Sequence, residues 1–213
     1  MTQRQAMQRI IISYLIILLI PAIFNLFAIT QNYVNPVLTL TDIIGAIWLL
    51  LLVHHTKETA FLEHHPAKLT HIILWGIIGA LVAIVCQLLI AWSERNIFHN
   101  FQVSLNTNML ITSIKSFPLM IIAVVLAAPI MEEIVFRKTI FGNLCQFTNK
   151  WLAALLASIL FALTHADRHL LTYTLIGMIF CYIYQKTNSI YSSMIAHILM
   201  NIFVIGSYLI TIH

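Results

Sequence analysis

"LTHIILWGIIGALVAIVCQLLIAW", Leu69 to Trp92, contains no Asp, Glu, Lys or Arg. It exceeds the roughly 20 apolar residues with which a helix crosses about 30 Å of hydrocarbon. Other apolar stretches run from Ile10 to Ile29, Val37 to Val53, Leu105 to Ala128, Pro129 to Phe147, Trp151 to Thr164, Leu170 to Tyr184 and Ile190 to Ile212. Backbone groups in lipid must be satisfied internally, and short alternating segments of the β-barrel kind are absent, so every stretch reads as a helix. The expected fold is all-α, a polytopic transmembrane helical bundle of seven to eight helices.

Composition agrees. Of 213 residues, 61% are hydrophobic and 8% charged, whereas soluble domains are near a quarter charged. The helices use up most of the chain, so residues 1–213 are expected to form a single membrane-embedded domain in contact with lipid. Cys86, Cys145 and Cys181 are odd in number and lack C-x-x-C spacing, which argues against a disulfide framework or a cysteine-based metal site. The net charge is only +4, with basic residues scattered along the chain, so no nucleic acid partner is expected.

Arg4 and Arg9 precede the first apolar stretch, which has no clear small-x-small cleavage site and reads as a retained span. With the amino terminus cytoplasmic and a glutamate-bearing helix that does not fully cross, Arg4, Arg9, Lys57, Lys68, Arg137, Lys138, Lys150 and Lys186 share the cytoplasmic side. The expected location is the cell membrane, multi-pass. Pro21 and Pro118 fall inside helical stretches as candidate kinks, and Pro129 suits the first turn of a new helix.

That helix carries "APIMEEIVFRK", Ala128 to Lys138, two adjacent glutamates and an arginine in a chain short of charge. An ionisable group at mid-membrane costs about 2.5 to 3.5 kcal/mol on insertion scales, which makes each one a candidate functional residue. Three places qualify: "EEIVFR" at Glu132 to Arg137, "FALTH" at Phe161 to His165, and "HILMN" at His197 to Asn201. Spacing of four puts Glu133 with Arg137, Phe161 with His165, and His197 with Asn201 on shared helix faces. Glu132 lies about 100 degrees from Glu133 on an α-helix. Glu133 is therefore expected to brace the helix through Arg137, while Glu132 faces the two histidines.

A lone intramembrane histidine is more often a packing residue than a catalyst. Here, however, Glu132, His165, His197 and Asn201 come from three helices of a chain with seven carboxylates. Together they would make a base, two imidazoles and an amide. His54, His55, His64 and His65 flank a loop that could hold a metal but are compatible with plain solvation, and His169 reads as a surface residue beside Asp167 and Arg168 that could approach the site from above.

There is no H-E-x-x-H zinc helix and no G-x-S-x-G elbow. Two mechanisms fit. In one, Glu132 is the general base, His165 holds the attacking water, and His197 with Asn201 donates to the oxyanion, without any metal. In the other, Glu132, His165 and His197 bind zinc, which activates the water.

The ordered set "EEIVFR", "FALTH", "HILMN" resembles the E-E-x-x-x-R, F-x-x-x-H and H-x-x-x-N/D motifs of the CPBP family, the CAAX-processing and bacteriocin-processing intramembrane proteases, also called Abi. The resemblance covers about residues 129–205. It implies an intramembrane endopeptidase, either glutamate-dependent or a metalloprotease. Glu132 would activate water with His165 as its partner, His197 and Asn201 would stabilise the transition state, and Glu133, Arg137 and Phe161 would give structural support. No cofactor is the first expectation, zinc the alternative. The implied substrate is a membrane-associated, lipoprotein-like or bacteriocin-type peptide or protein. A non-enzymatic bacteriocin self-immunity protein is the alternative reading.

Overall fold

The computed structural model describes residues 2–27, 32–56, 62–97 and 104–211; Ile29, Lys57 and Ile212, used above, lie outside them. Among the described residues there are eight helices and no strand. They are α1 (Gln3–Asn25), α2 (Val34–His54), α3 (Leu69–Asn96), α4 (Leu105–Ser116), α5 (120–144), α6 (Lys150–Thr164), α7 (Leu170–Thr187) and α8 (Ile190–Thr211). Four of them, α1, α2, α3 and α8, are long and apolar enough to cross a membrane, and α6 is apolar but shorter. Their outer faces expose Ile12, Leu15 and Leu19 on α1, Ile44 and Trp48 on α2, and Leu81, Leu88 and Trp92 on α3. Such contiguous apolar surface suits lipid.

The Leu105–Ala128 stretch, expected to be one helix, is two. Phe117 leaves helical geometry at φ −141°, ψ 85°, because the residue before a proline is pushed out of the α region, here by Pro118. The chain then re-enters a helix at Met120 and runs on to Leu144 through segments Met120–Ile122, Ala123–Ala127, Ala128–Glu132, Glu133–Phe141 and Gly142–Leu144. Pro129 therefore does not open the glutamate helix but sits inside it. A proline in a helix interior lacks an N–H and clashes with the carbonyl four residues back. The wider π-helical turn over Ala123–Ala127, in which the Ala128 N–H reaches the Ala123 carbonyl, accommodates it. A second π-helical segment, Glu133–Phe141, starts at the second glutamate.

Helix packing relies on small residues. A Cβ at Gly76 would lie 2.7 Å from Ile195 Cγ2, and one at Gly79 2.6 Å from Ile183 Cδ1, so α3 lies close against α8 and α7. Close backbone approach is the usual basis of helix association where lipid removes the hydrophobic drive. The loop before α3 is docked as well. Glu63 accepts from the Ile190 N–H at the start of α8 and pairs with Lys138 of α5, while the Ala67 N–H reaches the Thr187 carbonyl at 2.8 Å. At the end of α7, Asn188 takes the left-handed conformation, φ 50°, one of the few side chains that tolerates it as a helix cap.

Candidate active site

Glu132 and Glu133 lie where α5 changes from α to π geometry. Both reach His197 of α8. His197 Nδ1 donates to Glu133 Oε1 at 2.9 Å, and its Nε2 lies 3.7 Å from Glu132 Oε2. That second separation is too long for a direct hydrogen bond but suits a charge contact or a bridging water. The Glu133–Arg137 pair expected from helical spacing is present, but the histidines are not left to Glu132. Glu133 pairs with Arg137 Nη1 at 3.3 Å and orients His197 as well.

Arg137 and Glu133 are both 0% exposed. The guanidinium lies over two rings, with Cζ 4.2 Å from the centroid of Phe161 and 5.3 Å from that of Phe180. Its nitrogens make no hydrogen bond among the described residues, so charge and ring-face attraction hold it. Phe161 is the hub. Its ring meets His165 at 4.6 Å and His197 at 5.8 Å, both edge-on.

His165 follows the last residue of α6, and its Nδ1 donates to the Phe161 carbonyl at 2.9 Å. Both imidazoles therefore spend Nδ1–H on a protein acceptor, which fixes the tautomer and frees Nε2. Asn201, one turn beyond His197, donates from Nδ2 to the Val124 carbonyl at 3.0 Å. Backbone geometry accounts for that bond. In the π turn the Val124 carbonyl would seek the N–H of residue 129, which is proline and has none.

Glu132, His165, His197 and Asn201 all line one cavity of about 450 Å³, whereas Glu133 and Arg137 lie behind it. His169, expected at the surface with access to the site from above, lines the same cavity and sits 3.5 Å from Glu94. Sequence reasoning passed over Tyr14, Asp42, Gln87 and Tyr173, which also line it, and Phe180, which stacks on His197 at 4.9 Å. Asp42 had a usable signal, since a carboxylate within an apolar stretch meets the same cost criterion as Glu132. Phe180 and Tyr173 had none, because aromatic residues are ordinary in such helices.

The donor types of Glu132, His165 and His197 suit zinc, but their spacing does not. Among the described residues no three His, Cys, Asp or Glu side chains are grouped closely enough to share a metal ion. The same holds for His54, His55, His64 and His65. No step below is routed through a metal.

A family model described as Type II CAAX prenyl endopeptidase Rce1-like matches residues 114–203. The chain is 41% identical over 134 residues to the "Putative membrane peptidase YdiL" of Bacillus subtilis (strain 168), covering 62% of this chain and 55% of that protein. With the "Membrane-embedded CAAX protease MroQ" of Staphylococcus aureus (strain USA300) it shares 31% identity over 180 residues, 81% of this chain and 72% of that one. A third relative, the UPF0177 protein YxdF of Lactococcus lactis subsp. lactis (strain IL1403), is 40% identical over 77 residues, 35% of this chain and 42% of the relative. The chain thus spans little more than half the length of YdiL. No solved structure matches it. Motif order, the eight-helix bundle and the extent of the match to MroQ together place the chain in the Rce1-like CAAX protease family.

Proposed function

We propose that the chain is an intramembrane endopeptidase that hydrolyses a peptide bond of a membrane-associated, lipoprotein-like or bacteriocin-type substrate. The observation that carries this reading is the convergence of Glu132, His165, His197 and Asn201 on one cavity inside a membrane bundle.

The chemistry follows from the committed hydrogen bonds. A water between the Glu132 carboxylate and the free Nε2 of His165 gives its proton to Glu132 and adds its oxygen to the scissile carbonyl carbon. The carbonyl oxygen becomes the oxyanion. Asn201 keeps one amide N–H for it, the other being spent on Val124. His197 can donate from Nε2 only as the imidazolium, because Nδ1–H already serves Glu133. Glu132 being neutral once it holds the water's proton, the oxyanion and Glu133 would then balance the His197 imidazolium and Arg137. Collapse of the intermediate breaks the C–N bond, and Glu132 returns the proton to the leaving amine, leaving a free carboxyl and a free amine. A single oxyanion donor is worth about 2.7 to 4 kcal/mol of barrier.

The test is a matched pair, Glu132→Gln and Glu133→Gln, in a cleavage assay on a membrane-anchored reporter, with abundance measured alongside. Glu132→Gln should accumulate normally and cleave nothing, whereas Glu133→Gln should lose abundance. Full function in an abundant Glu132→Gln protein would refute the reading and favour a non-catalytic immunity role. Chelator should leave cleavage intact, and a loss that added zinc reverses would replace this route with a metal-based one.

A further inference from the structure

His165 lies just beyond the end of α6, where the helix no longer fixes its surroundings. Phe161 meets one side of the imidazole edge-on. On another side Tyr173 of α7 lies nearly parallel to it, centroids 4.1 Å apart and planes inclined by 27°. Tyr173 is tied down at its far end. Its hydroxyl is 3.4 Å from Asp167 Oδ2 and 3.5 Å from Ser104 Oγ. The same Asp167 oxygen accepts the Ser104 hydroxyl at 2.5 Å and the Asn106 N–H at 3.4 Å.

Local backbone supports this arrangement. Ala166, between His165 and Asp167, adopts φ 48°, a left-handed conformation unfavourable to a residue with a Cβ. The sharp reversal lets His165 face the cavity while Asp167 faces the start of α4. Burial alone would raise the Asp167 carboxyl, but hydrogen bonds from Ser104, Arg168 and Asn106 outweigh it and hold it below the usual carboxylate range. It remains a charged acceptor at neutral pH.

We infer that Tyr173, anchored by Asp167, is a positioning residue that fixes the His165 ring with its Nε2 toward the cavity. Its use in water activation rests on the peptidase reading above; the ring orientation does not.

The experiment uses the full chain with isotope-labelled histidine in detergent micelles, His165 being assigned with a His165→Asn variant. In the wild type the His165 ring protons should be shifted upfield by the Tyr173 ring, with a single Nδ1–H tautomer. Tyr173→Leu should remove the upfield shift and mix the tautomers, and Tyr173→Phe, which keeps the ring but loses the hydroxyl bonded to Asp167, should lose both features only in part. Asp167→Asn, which keeps the ring, should produce a partial loss and serves if Tyr173→Leu fails to fold. Unchanged His197 signals report an intact fold. Wild-type His165 signals in Tyr173→Leu, or in Asp167→Asn, would overturn the inference.

A second arm uses a quenched-fluorescence apolar peptide with protein reconstituted in phosphatidylglycerol-containing vesicles. Tyr173→Leu should lower kcat on the order of 100-fold with KM little changed, and Tyr173→Phe should restore most of it. Wild-type kcat in Tyr173→Leu would also overturn the positioning role. Cleavage that persists in Glu132→Gln counts against the peptidase reading alone, since the magnetic resonance result is read independently.

Discussion

His197 donates a 2.9 Å hydrogen bond from Nδ1 to Oε1 of Glu133. Glu133 also carries the charge opposite Arg137, and both side chains are fully buried. Glu133→Gln preserves shape but leaves the guanidinium without its anion in a site closed to water. Removing one partner of a buried pair costs about 3–5 kcal/mol. Glu132 faces the cavity, and among the described residues its ion pair is the 3.7 Å one with His197, so Glu132→Gln should cost about 1 kcal/mol or less. Thermal unfolding in detergent measures both. Equal losses would mean that the two carboxylates are not divided between support and cavity.

The bond from Asn201 to Val124 predicts a coupling between two distant positions in the chain. Asn201→Ala leaves a buried carbonyl unsatisfied, at about 1–3 kcal/mol. Pro129→Ala would supply an N–H five residues beyond Val124, able to take up that carbonyl within the π turn. In the Pro129→Ala background, Asn201→Ala should therefore cost less. A double-mutant cycle should return about 0.5–3 kcal/mol, and additive losses would refute the assignment of Asn201 to the Pro129 defect.

Much of this arrangement could be read along the chain. Apolar length located six of the eight helices but missed the break at Phe117 and the run from Met120 to Leu144, and the cost of charge in lipid singled out Glu132, His165 and His197. What could not be read was the consequence of Pro129. A proline ahead of two glutamates suggested a helix start, but the interior can instead widen to a π turn when another side chain takes the freed carbonyl, here Asn201 from 77 residues away. Tyr173 and Phe180 were hidden for a different reason. Their ring contacts depend on where α7 lies against α6 and α8, a tertiary fact with no local pattern.

Acid should loosen the start of α4. The Asp167 carboxyl is held below its ordinary value by donors from Ser104, Arg168 and Asn106, with His169 adding to the effect. A carboxyl depressed in the folded state contributes stability that is present above its unfolded value, about 3.9, and is lost as pH falls through the folded one. Wild type should therefore be more stable than Asp167→Asn near neutrality, and the gap should close below about pH 4. Unfolding curves of both proteins from neutral pH downward measure the gap. A constant gap would show that Asp167 acts without its charge.

Gly177 of α7 sets the distance between the helices that carry His165 and its backing ring. A Cβ there would lie 2.8 Å from Ser158 Cβ, 2.9 Å from its Oγ and 3.1 Å from its Cα. Gly177→Ala must push α7 away from α6, at about 1–3 kcal/mol for an overpacked core. Ser158→Ala keeps the offending Cβ and should not relieve the strain. Ser158→Gly removes both side-chain atoms but not the Cα, so it should rescue Gly177→Ala in part. Because α6 ends at His165 while α7 presents Tyr173 and Phe180, the same displacement should weaken the His165 stack as well as stability. Unfolding temperatures and the His165 ring-proton shifts, measured in the single and double variants, should then recover together. Recovery of stability without recovery of the shifts would separate helix packing from ring orientation and count against the linkage.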